Sequence, residues 1–408
     1  MSEKIGIGVG MVGHAFMGRV HSQAWRSVGA FFDLPLAPRM AVLAGRSRER
    51  ASAAAARLGW ADVETDWRKL VERDDVQIVD ICTPGDSHAE IAIAALEAGK
   101  HVICEKPLAN TVAEAEAMVR AAASAPGRNM VAFNYRRVPA IALARRYVEE
   151  GRLGEIRHVR AQYLQDWIVD PHFPLVWRLR KDKAGSGALG DIGAHIIDTA
   201  EYVTGQRVVG VSALTETFVK ERPLAEESAG LAATGSSATG TVTVDDAALF
   251  IGRLSGGALA SFEATRFATG RKNALRIELN GSLGSLAFDF EAMNELWVSE
   301  GDSGFTRILV TEPGHPYAGA WWPPGHGLGY EHTFTHEIKD FLEAIAEDRD
   351  PAPSFADGLR VQRVLAAVER SAADASRYTA VEDASLGEHA GLAENAGLGE
   401  NAGLGEDA

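Results

Sequence analysis

Residues 5–18, Ile-Gly-Ile-Gly-Val-Gly-Met-Val-Gly-His-Ala-Phe-Met-Gly, decide the fold. Two registers of a phosphate-binding turn compete in this stretch. A literal G-x-G-x-x-G falls on Gly8, Gly10 and Gly13, but it places the turn inside the apolar run Ile5 to Val12. Moving the turn to Gly13-x-Ala15-x-x-Gly18 keeps that run whole as a strand and starts a helix where amphipathic spacing starts, over Met17 to Val28. Backbone amides at a strand-to-helix turn reach a pyrophosphate only when no bulky side chain intervenes. Gly13, Ala15, Phe16, Met17 and Gly18 are therefore the candidate phosphate contacts. Taken alone, the turn also reads as a tight glycine turn that binds nothing.

The sequence that follows favours the ligand. Strand-like runs at Met40 to Ala44, Ile78 to Cys82, His101 to Cys104 and Met130 to Asn134 alternate with helical spacing at Arg48 to Leu58, His88 to Ala98 and Thr111 to Ala123. Such alternation predicts a doubly wound parallel sheet, a Rossmann unit over residues 1–135. The pattern then becomes strand-rich at Ile156 to Tyr163, Val208 to Thr217, Ala247 to Leu254, Ala258 to Thr265 and Leu275 to Leu279. A second α+β domain over 136–380, built on a large, open, mainly antiparallel sheet, is expected. Helical periodicity at Phe334 to Ile345 and Leu359 to Ala372 points to helices that pack back on one of the sheets. From 383 to 408 the chain repeats AGLAEN, AGLGEN and AGLGED, too few and too polar for a solenoid, so a disordered tail is expected.

Bulk composition narrows the function. A chain of 408 residues with 46% apolar residues can bury two cores. Its net charge of -15 disfavours nucleic acid and anionic membranes as partners, because phosphates would be repelled. Cys82 and Cys104 are too far apart for a CxxC pair. The sequence shows neither a leader nor a long apolar span, so a cytoplasmic setting is expected. His332 and His336 are four apart, but no third ligand accompanies them, and no metal is expected.

The chemistry is carried by two loops and one later motif. Thr83-Pro84-x-x-x-His88 and Glu105-Lys106-Pro107 each follow a strand, at the carboxyl ends where open α/β sheets bind ligands. Asp191-x-Gly-x-His195 comes later, and on a helix its Asp and His would share a face, with Asp198 nearby. Removing a hydride from a carbinol requires the hydroxyl proton to leave, which calls for a base of near-neutral pKa; His195 suits that role and Lys106 can return the proton in reverse. A plainer reading makes Asp191 a helix-start carboxylate and His195 a packed core histidine. After the second strand, Gly45-Arg46-Ser47 offers a guanidinium where an acidic residue would repel a 2′-phosphate, so NAD(P) use leans towards NADP or both.

Together, Gly13-x-x-x-x-Gly18, Thr83-Pro84-x-x-x-His88, Glu105-Lys106-Pro107 and Asp191-x-Gly-x-His195 resemble the Gfo/Idh/MocA oxidoreductases over about residues 4 to 375. The resemblance implies an NAD(P)-dependent dehydrogenase of a pyranose sugar, anhydrosugar or inositol. It further implies homo-oligomers, dimers or tetramers, formed through the C-terminal sheet. Lys106 would hydrogen-bond the reacting oxygen from a bond to Pro107 that can be cis, His195 would be the base, and Asp191 a substrate or relay partner. Thr83, Pro84, His88, Glu105 and Lys106 join Gly45 and Arg46 on the cofactor side. Tyr135-Arg136, Asp166-Trp167 and Trp177-Arg178 combine an aromatic face with hydrogen-bonding groups, as a polyol pocket needs, although packing roles are equally open to them.

The loop from Trp321 to Tyr330, rich in Trp, Pro and Gly, could close over a sugar with His326 as its polar contact. It makes the chain resemble pyranoside and anhydrosugar dehydrogenases more than the shorter inositol enzymes. A second function class keeps the same residues: a nicotinamide-dependent glycosidase or lyase acting through a transient keto-sugar. A third is a non-catalytic dinucleotide sensor, disfavoured by the intact Lys, Asp and His set.

Overall fold

The computed structural model describes residues 4–229 and 232–382, so the tail expected from 383 onward lies outside the described residues. The first third builds β1 (Ile5–Val12), α1 (Phe16–Phe31), β2 (Leu36–Ala44), α2 (Arg48–Leu58), β3 (Asp62–Glu64), α3 (Trp67–Val71), β4 (Ile78–Ile81), α4 (His88–Glu97), β5 (His101–Glu105), α5 (Val112–Ser124) and β6 (Asn129–Ala132). The strands are parallel in the order β3-β2-β1-β4-β5-β6. Strand order reverses between β1 and β4, which opens a crevice at their carboxyl ends. Gly8 and Gly10 lie inside β1, because the neighbours leave no room for a side chain: a Cβ would fall 1.8 Å from the Asp75 carbonyl oxygen and 2.7 Å from Leu70 Cδ2, respectively. The short β3 and α3 leave no period long enough to read.

Local chemistry fixes several boundaries. Ser47 accepts the Arg50 amide to start α2, and Gly59 ends it in the left-handed region at φ 89°. Thr111 and Glu114 form a reciprocal capping box at the start of α5.

The remainder adds α6 (Pro139–Glu149), β7 (Ile156–Leu164), α7 (Lys181–Ala184), α8 (Ala194–Thr204), β8 (Val208–Glu216), β9 (Glu221–Ala229), β10 (Ala232–Thr241), β11 (Ala247–Leu254), β12 (Leu259–Thr265), β13 (Ala274–Gly281), β14 (Gly284–Asp289), β15 (Glu295–Glu300), β16 (Thr306–Leu309), α9 (Tyr330–Ala346), α10 (Phe355–Ala373) and β17 (Thr379–Ala380). Nine of these strands form one sheet, β16-β15-β14-β13-β7-β12-β11-β8-β17, antiparallel except for β7 with β12. β9 and β10 make a separate antiparallel ribbon.

The last two helices join the layers. α9 returns to the parallel sheet, where Phe334, Ile338, Phe341 and Leu342 share a buried cluster with Ile7, Val9, Trp25 and Val28. Each such side chain contributes about 1.5–3 kcal/mol by leaving water. α10 places Val361, Val364, Leu365 and Val368 in the large cluster that runs through both sheets. Among the described residues, no helix is long and apolar enough to cross a membrane.

Candidate active site

The crevice opens into a cleft of about 1150 Å³. A pocket for one small molecule usually holds about 300–1,000 Å³, so this cleft is larger than most. At one end lie Gly13 to Met17, Gly45, Arg46, Thr83 and Pro84. Gly13 has φ 102°, where a Cβ would meet the Cys82 carbonyl oxygen at 2.7 Å. Gly18 does not reach the cleft; it lets α1 sit on the turn, since a Cβ there would lie 2.3 Å from the Gly13 carbonyl oxygen. Ala15 at the helix start offers no side-chain cap and no acidic residue occupies the first turn, which leaves the amides of α1 open to an anion. This donor set fits the phosphates of a dinucleotide.

His88 and Glu105 brace the wall. Buried His88 sets its two ring nitrogens 3.0 Å from the Pro107 carbonyl and 2.8 Å from the Thr83 carbonyl, tying together the loops after β4 and β5. Glu105 accepts from the Lys106 amide at 3.0 Å and faces His21 Nε2 at 3.0 Å.

At the other end, Lys106, Asp191 and His195 line the same cleft. Lys106 Nζ donates to the Asp191 carbonyl at 2.7 Å and pairs with its Oδ1 at 3.2 Å, leaving one ammonium hydrogen for a ligand. The Lys106–Pro107 bond is cis. Asp191 sits in a π-helical turn, Leu189–Gly193, and His195 follows at the start of α8. The Asp245 carboxylate accepts the Gly187 and Leu189 amides at 2.7 and 2.8 Å and so fixes this turn.

Charge organises the centre. Burial works to raise the Asp191 carboxyl, but the cations of Lys106, Arg266 and Arg178 hold it well below the ordinary carboxylate range. Burial, reinforced by the Lys106 charge, pushes the His195 imidazole well below its ordinary value. His195 Nδ1 is buried without a hydrogen-bond partner. Its ring packs edge-on against Tyr135, with centroids 4.7 Å apart. Burial also pushes the Tyr135 phenol up to about 12, and it stands 2.6 Å from the Tyr163 hydroxyl, which donates to Asn273 Oδ1 at 2.6 Å.

Trp167, Trp177, Arg178 and Tyr135 line this end of the cleft, as do Tyr163, Gln165, Arg266, Lys272, Asn273 and Tyr330, which the sequence did not single out. Arg266 follows β12 and Gln165 follows the parallel β7, whose ends are in register at Thr265 and Leu164. That pairing brings together residues about a hundred positions apart, and no local pattern announces it.

Three substrate-side expectations and one helical one are corrected. Buried Arg136 does not line the cleft; its guanidinium forks onto Asp198, with Nε to Oδ2 at 2.9 Å and Nη2 to Oδ1 at 2.5 Å. Asp198 therefore faces Arg136 rather than joining Asp191 and His195, which are separated by a π turn instead of a regular helical turn. Asp166 turns to the Gly270 amide at 3.0 Å and Lys272 Nζ at 2.7 Å, fastening the turn after β12. His326 is exposed, with Nδ1 against the Pro323 carbonyl at 2.9 Å. The start of its loop is held away from the cleft, with Trp321 and Trp322 packed on Phe31, and Trp321 also on Phe32, at the far end of a helix about 24 Å long, and of the loop only Tyr330 lines the cleft.

The histidine pair on α9 is engaged elsewhere. His332 Nδ1 accepts the Gly329 amide, while His336 accepts from Trp321 Nε1 at 2.7 Å and faces the Arg137 carbonyl at 3.0 Å. His21, Asp80 and Cys82 bring three donor atoms within 4.8 Å, but they bond to one another.

Residues 7–133 match the family described as oxidoreductase family, NAD-binding Rossmann fold, and residues 141–287 match the GFO/IDH/MocA C-terminal domain. Levoglucosan dehydrogenase of Pseudarthrobacter phenanthrenivorans is 45% identical over 379 residues, covering 91% of this chain and 97% of that protein. Inositol 2-dehydrogenase of Rhizobium meliloti is 27% identical over 303 residues, 74% of this chain and 79% of its own. Among solved structures, an oxidoreductase domain protein from Kribbella flavida superposes with a TM-score of 0.88 at 64% identity, covering 93% of this chain and all (100%) of that one. A levoglucosan dehydrogenase in complex with NADH and levoglucosan superposes with a TM-score of 0.87 at 44% identity, with the same 93% and 100% coverage.

Proposed function

Since this chain belongs to the Gfo/Idh/MocA family of oxidoreductases, we propose that it oxidises a secondary hydroxyl of a cyclic polyol of the anhydro-pyranose class, with Lys106, Asp191 and His195 handling the proton. The observation that carries this reading is the placement of Lys106 Nζ on Asp191, beside His195, in the same cleft as the Gly13 to Met17 turn. The relative named levoglucosan dehydrogenase supports the anhydrosugar class.

Gly13, Ala15 and the amides of Phe16 and Met17 would hold the dinucleotide phosphates, with Thr83, Pro84, Gly45 and Arg46 along the rest. A bound nicotinamide supplies the hydride acceptor. Lys106 then donates its remaining hydrogen to the sugar oxygen and stabilises alkoxide character as the hydroxyl proton leaves for His195. Asp191, kept ionised by three cations, holds the ammonium in place and prevents Lys106 from acting as the proton acceptor.

Purified protein should produce reduced cofactor and a keto-sugar in equal amounts from levoglucosan or a related pyranose. No turnover across anhydrosugars, pyranoses and inositols would overturn the reading, as would bond cleavage without net cofactor reduction.

The charge state of His195 sets the pH dependence. The ring must be neutral to accept a proton, and its pKa is depressed. Oxidation should therefore be fully active at neutral pH and decline only as pH falls through a value below the ordinary histidine range. A kcat/KM profile with its acid limb centred at or above the ordinary histidine value would remove His195 as the base.

Arg46 lines the cleft after β2, where no carboxylate repels a phosphate, which supports acceptance of NADP beside NAD. Loss of a charge-assisted phosphate contact of about 1.5–3 kcal/mol corresponds to roughly 10–100-fold in affinity. Arg46→Ala should weaken NADP by about that factor and NAD by less than about threefold. Equal weakening of both cofactors would refute the role. Leu214, Leu249, Ile251 and Leu259 are exposed on β8, β11 and β12, and Leu214 and Leu249 are register partners, which supports self-association through the large sheet.

A further inference from the structure

Behind the cleft wall lies a set of buried ionisable groups that the proton chemistry above does not use. His21, on α1, is 1% exposed. Its Nδ1 lies 3.0 Å from both carboxylate oxygens of Asp80 on β4, and its Nε2 lies 3.0 Å from Glu105 Oε1 at the end of β5. Asp80 also accepts from Trp25 Nε1 at 2.7 Å and from Cys82 Sγ at 3.4 Å. The other oxygen of Glu105 takes the Lys106 amide at 3.0 Å. Strands β4 and β5 and helix α1 thus meet at one imidazole, one residue removed from Lys106.

We propose that His21 is a positioning residue of this dehydrogenation, a charged clamp between Asp80 and Glu105 that aims Lys106 at the reacting oxygen. The inference rests on the dehydrogenase reading. A neutral imidazole carries one N–H, yet both ring nitrogens face carboxyl groups, so with both of those ionised the two bonds form only when the ring is doubly protonated. Charge then alternates from the core outward: Asp80 negative, His21 positive, Glu105 negative, Lys106 positive, Asp191 negative.

The surroundings agree with that state. Burial opposes charge on the ring, but Asp80 outweighs it, and the His21 pKa is raised well above the ordinary value. The other groups facing this position carry little charge of their own. Burial keeps the Cys82 and Cys104 thiols protonated and pushes the Glu337 carboxyl on α9 up to about 8, with Arg137 at 3.7 Å as its counter-charge. Phe334 of α9 closes the remaining side, its ring centroid 5.3 Å from that of His21. The clamp holds its proton throughout the working range, so it acts by fixing geometry, and misplacing a reacting group by about 1 Å can slow a reaction by about 10²-fold.

Two conservative variants separate the two arms of the clamp. An asparagine amide sits near the Nδ1 position and keeps the bond to Asp80; a glutamine amide reaches the Nε2 position and keeps the bond to Glu105. His21→Asn should lower kcat by at least about tenfold, with KM and the dissociation constant for NADH within about twofold, whereas His21→Gln, which keeps the Glu105 bond without the charge, should recover only part of the lost kcat. Equal losses in both variants, or a kcat that changes only with the active fraction, would reduce His21 to a structural residue and overturn the proposal.

Charge is read independently of turnover. In the intact protein with selectively ¹⁵N-labelled histidine, the His21 ring should stay doubly protonated at pH 8, and Asp80→Asn should convert it to the neutral form. A neutral ring in the parent protein at pH 8 overturns the clamp even if no sugar is ever turned over. A doubly protonated ring without turnover on any polyol instead sinks the dehydrogenase reading and leaves the clamp's charge standing. If the asparagine variant fails to fold, Asp80→Asn carries the kinetic test: an unchanged kcat beside a neutral ring overturns the proposal.

Discussion

Lys106→Ala lowers kcat/KM for the sugar by about 10²–10³-fold, the range for loss of a preorganised hydrogen-bond donor at a reacting oxygen. The Lys106 side chain is 13% exposed, its ammonium anchored at 2.7 Å by the Asp191 carbonyl and at 3.2 Å by the Asp191 carboxylate. It is thus aligned before substrate arrives and needs no reorganisation in the transition state. The same cation holds Asp191 ionised and helps keep His195 neutral, so its removal disturbs all three groups. NADH affinity, measured by fluorescence titration, should change little, because the phosphate turn lies at the other end of the cleft. Lys106→Arg should not restore the rate: the guanidinium keeps the charge, but its planar fork does not present a hydrogen from the lysine position. Turnover within fivefold of the parent protein in Lys106→Ala would remove the lysine from the mechanism.

Asp198→Ala destabilises the fold by about 3–5 kcal/mol, the usual consequence of leaving a buried charge without its partner. Arg136 is 7% exposed and Asp198 1% exposed, and the two are joined by a two-pronged bond from the segment after β6 to α8. Burial raises the Asp198 carboxyl above its ordinary range, yet the forked guanidinium keeps the pair charged at neutral pH. Asp357 lies 3.7 Å from the same guanidinium and softens the loss, which places the expectation near the lower end of that range. A urea unfolding series should show the shift in Asp198→Ala and its partial recovery when Arg136→Met is added, because the double variant leaves no orphaned charge. A midpoint equal to that of the parent protein would mean that the pair is dispensable.

These two residues mark the division between what the chain spells out locally and what it does not. Lys106 was legible because Glu105-Lys106-Pro107 ends an apolar run, and the end of a parallel strand is also the edge of the crevice. Arg136 was misread because its neighbour Tyr135 does line the cleft while its own guanidinium points to a carboxylate 62 residues away. A charged side chain next to an aromatic one reads alike in both situations. His326 failed for a related reason: glycine, proline and tryptophan announce an ordered loop, but the loop is ordered by Phe31 and Phe32 at the wrong end of α1.

The sequence by itself determined the parallel sheet, the glycine turn in the register of Gly13 and the change to a mainly antiparallel sheet, while its resemblance to a known family singled out Lys106, Asp191 and His195. The sheets and the turn follow from spacing within a few turns or one strand, where near neighbours set periodicity and φ. Only the tertiary structure decided that Arg136 pairs with Asp198, that Tyr163, Asn273 and Arg266 line the same cleft as Lys106, and that His21 stands behind Lys106 between Asp80 and Glu105. Those choices are made by burial: once water is excluded, a polar group must bond to whichever partner the packing of distant strands places within about 3 Å.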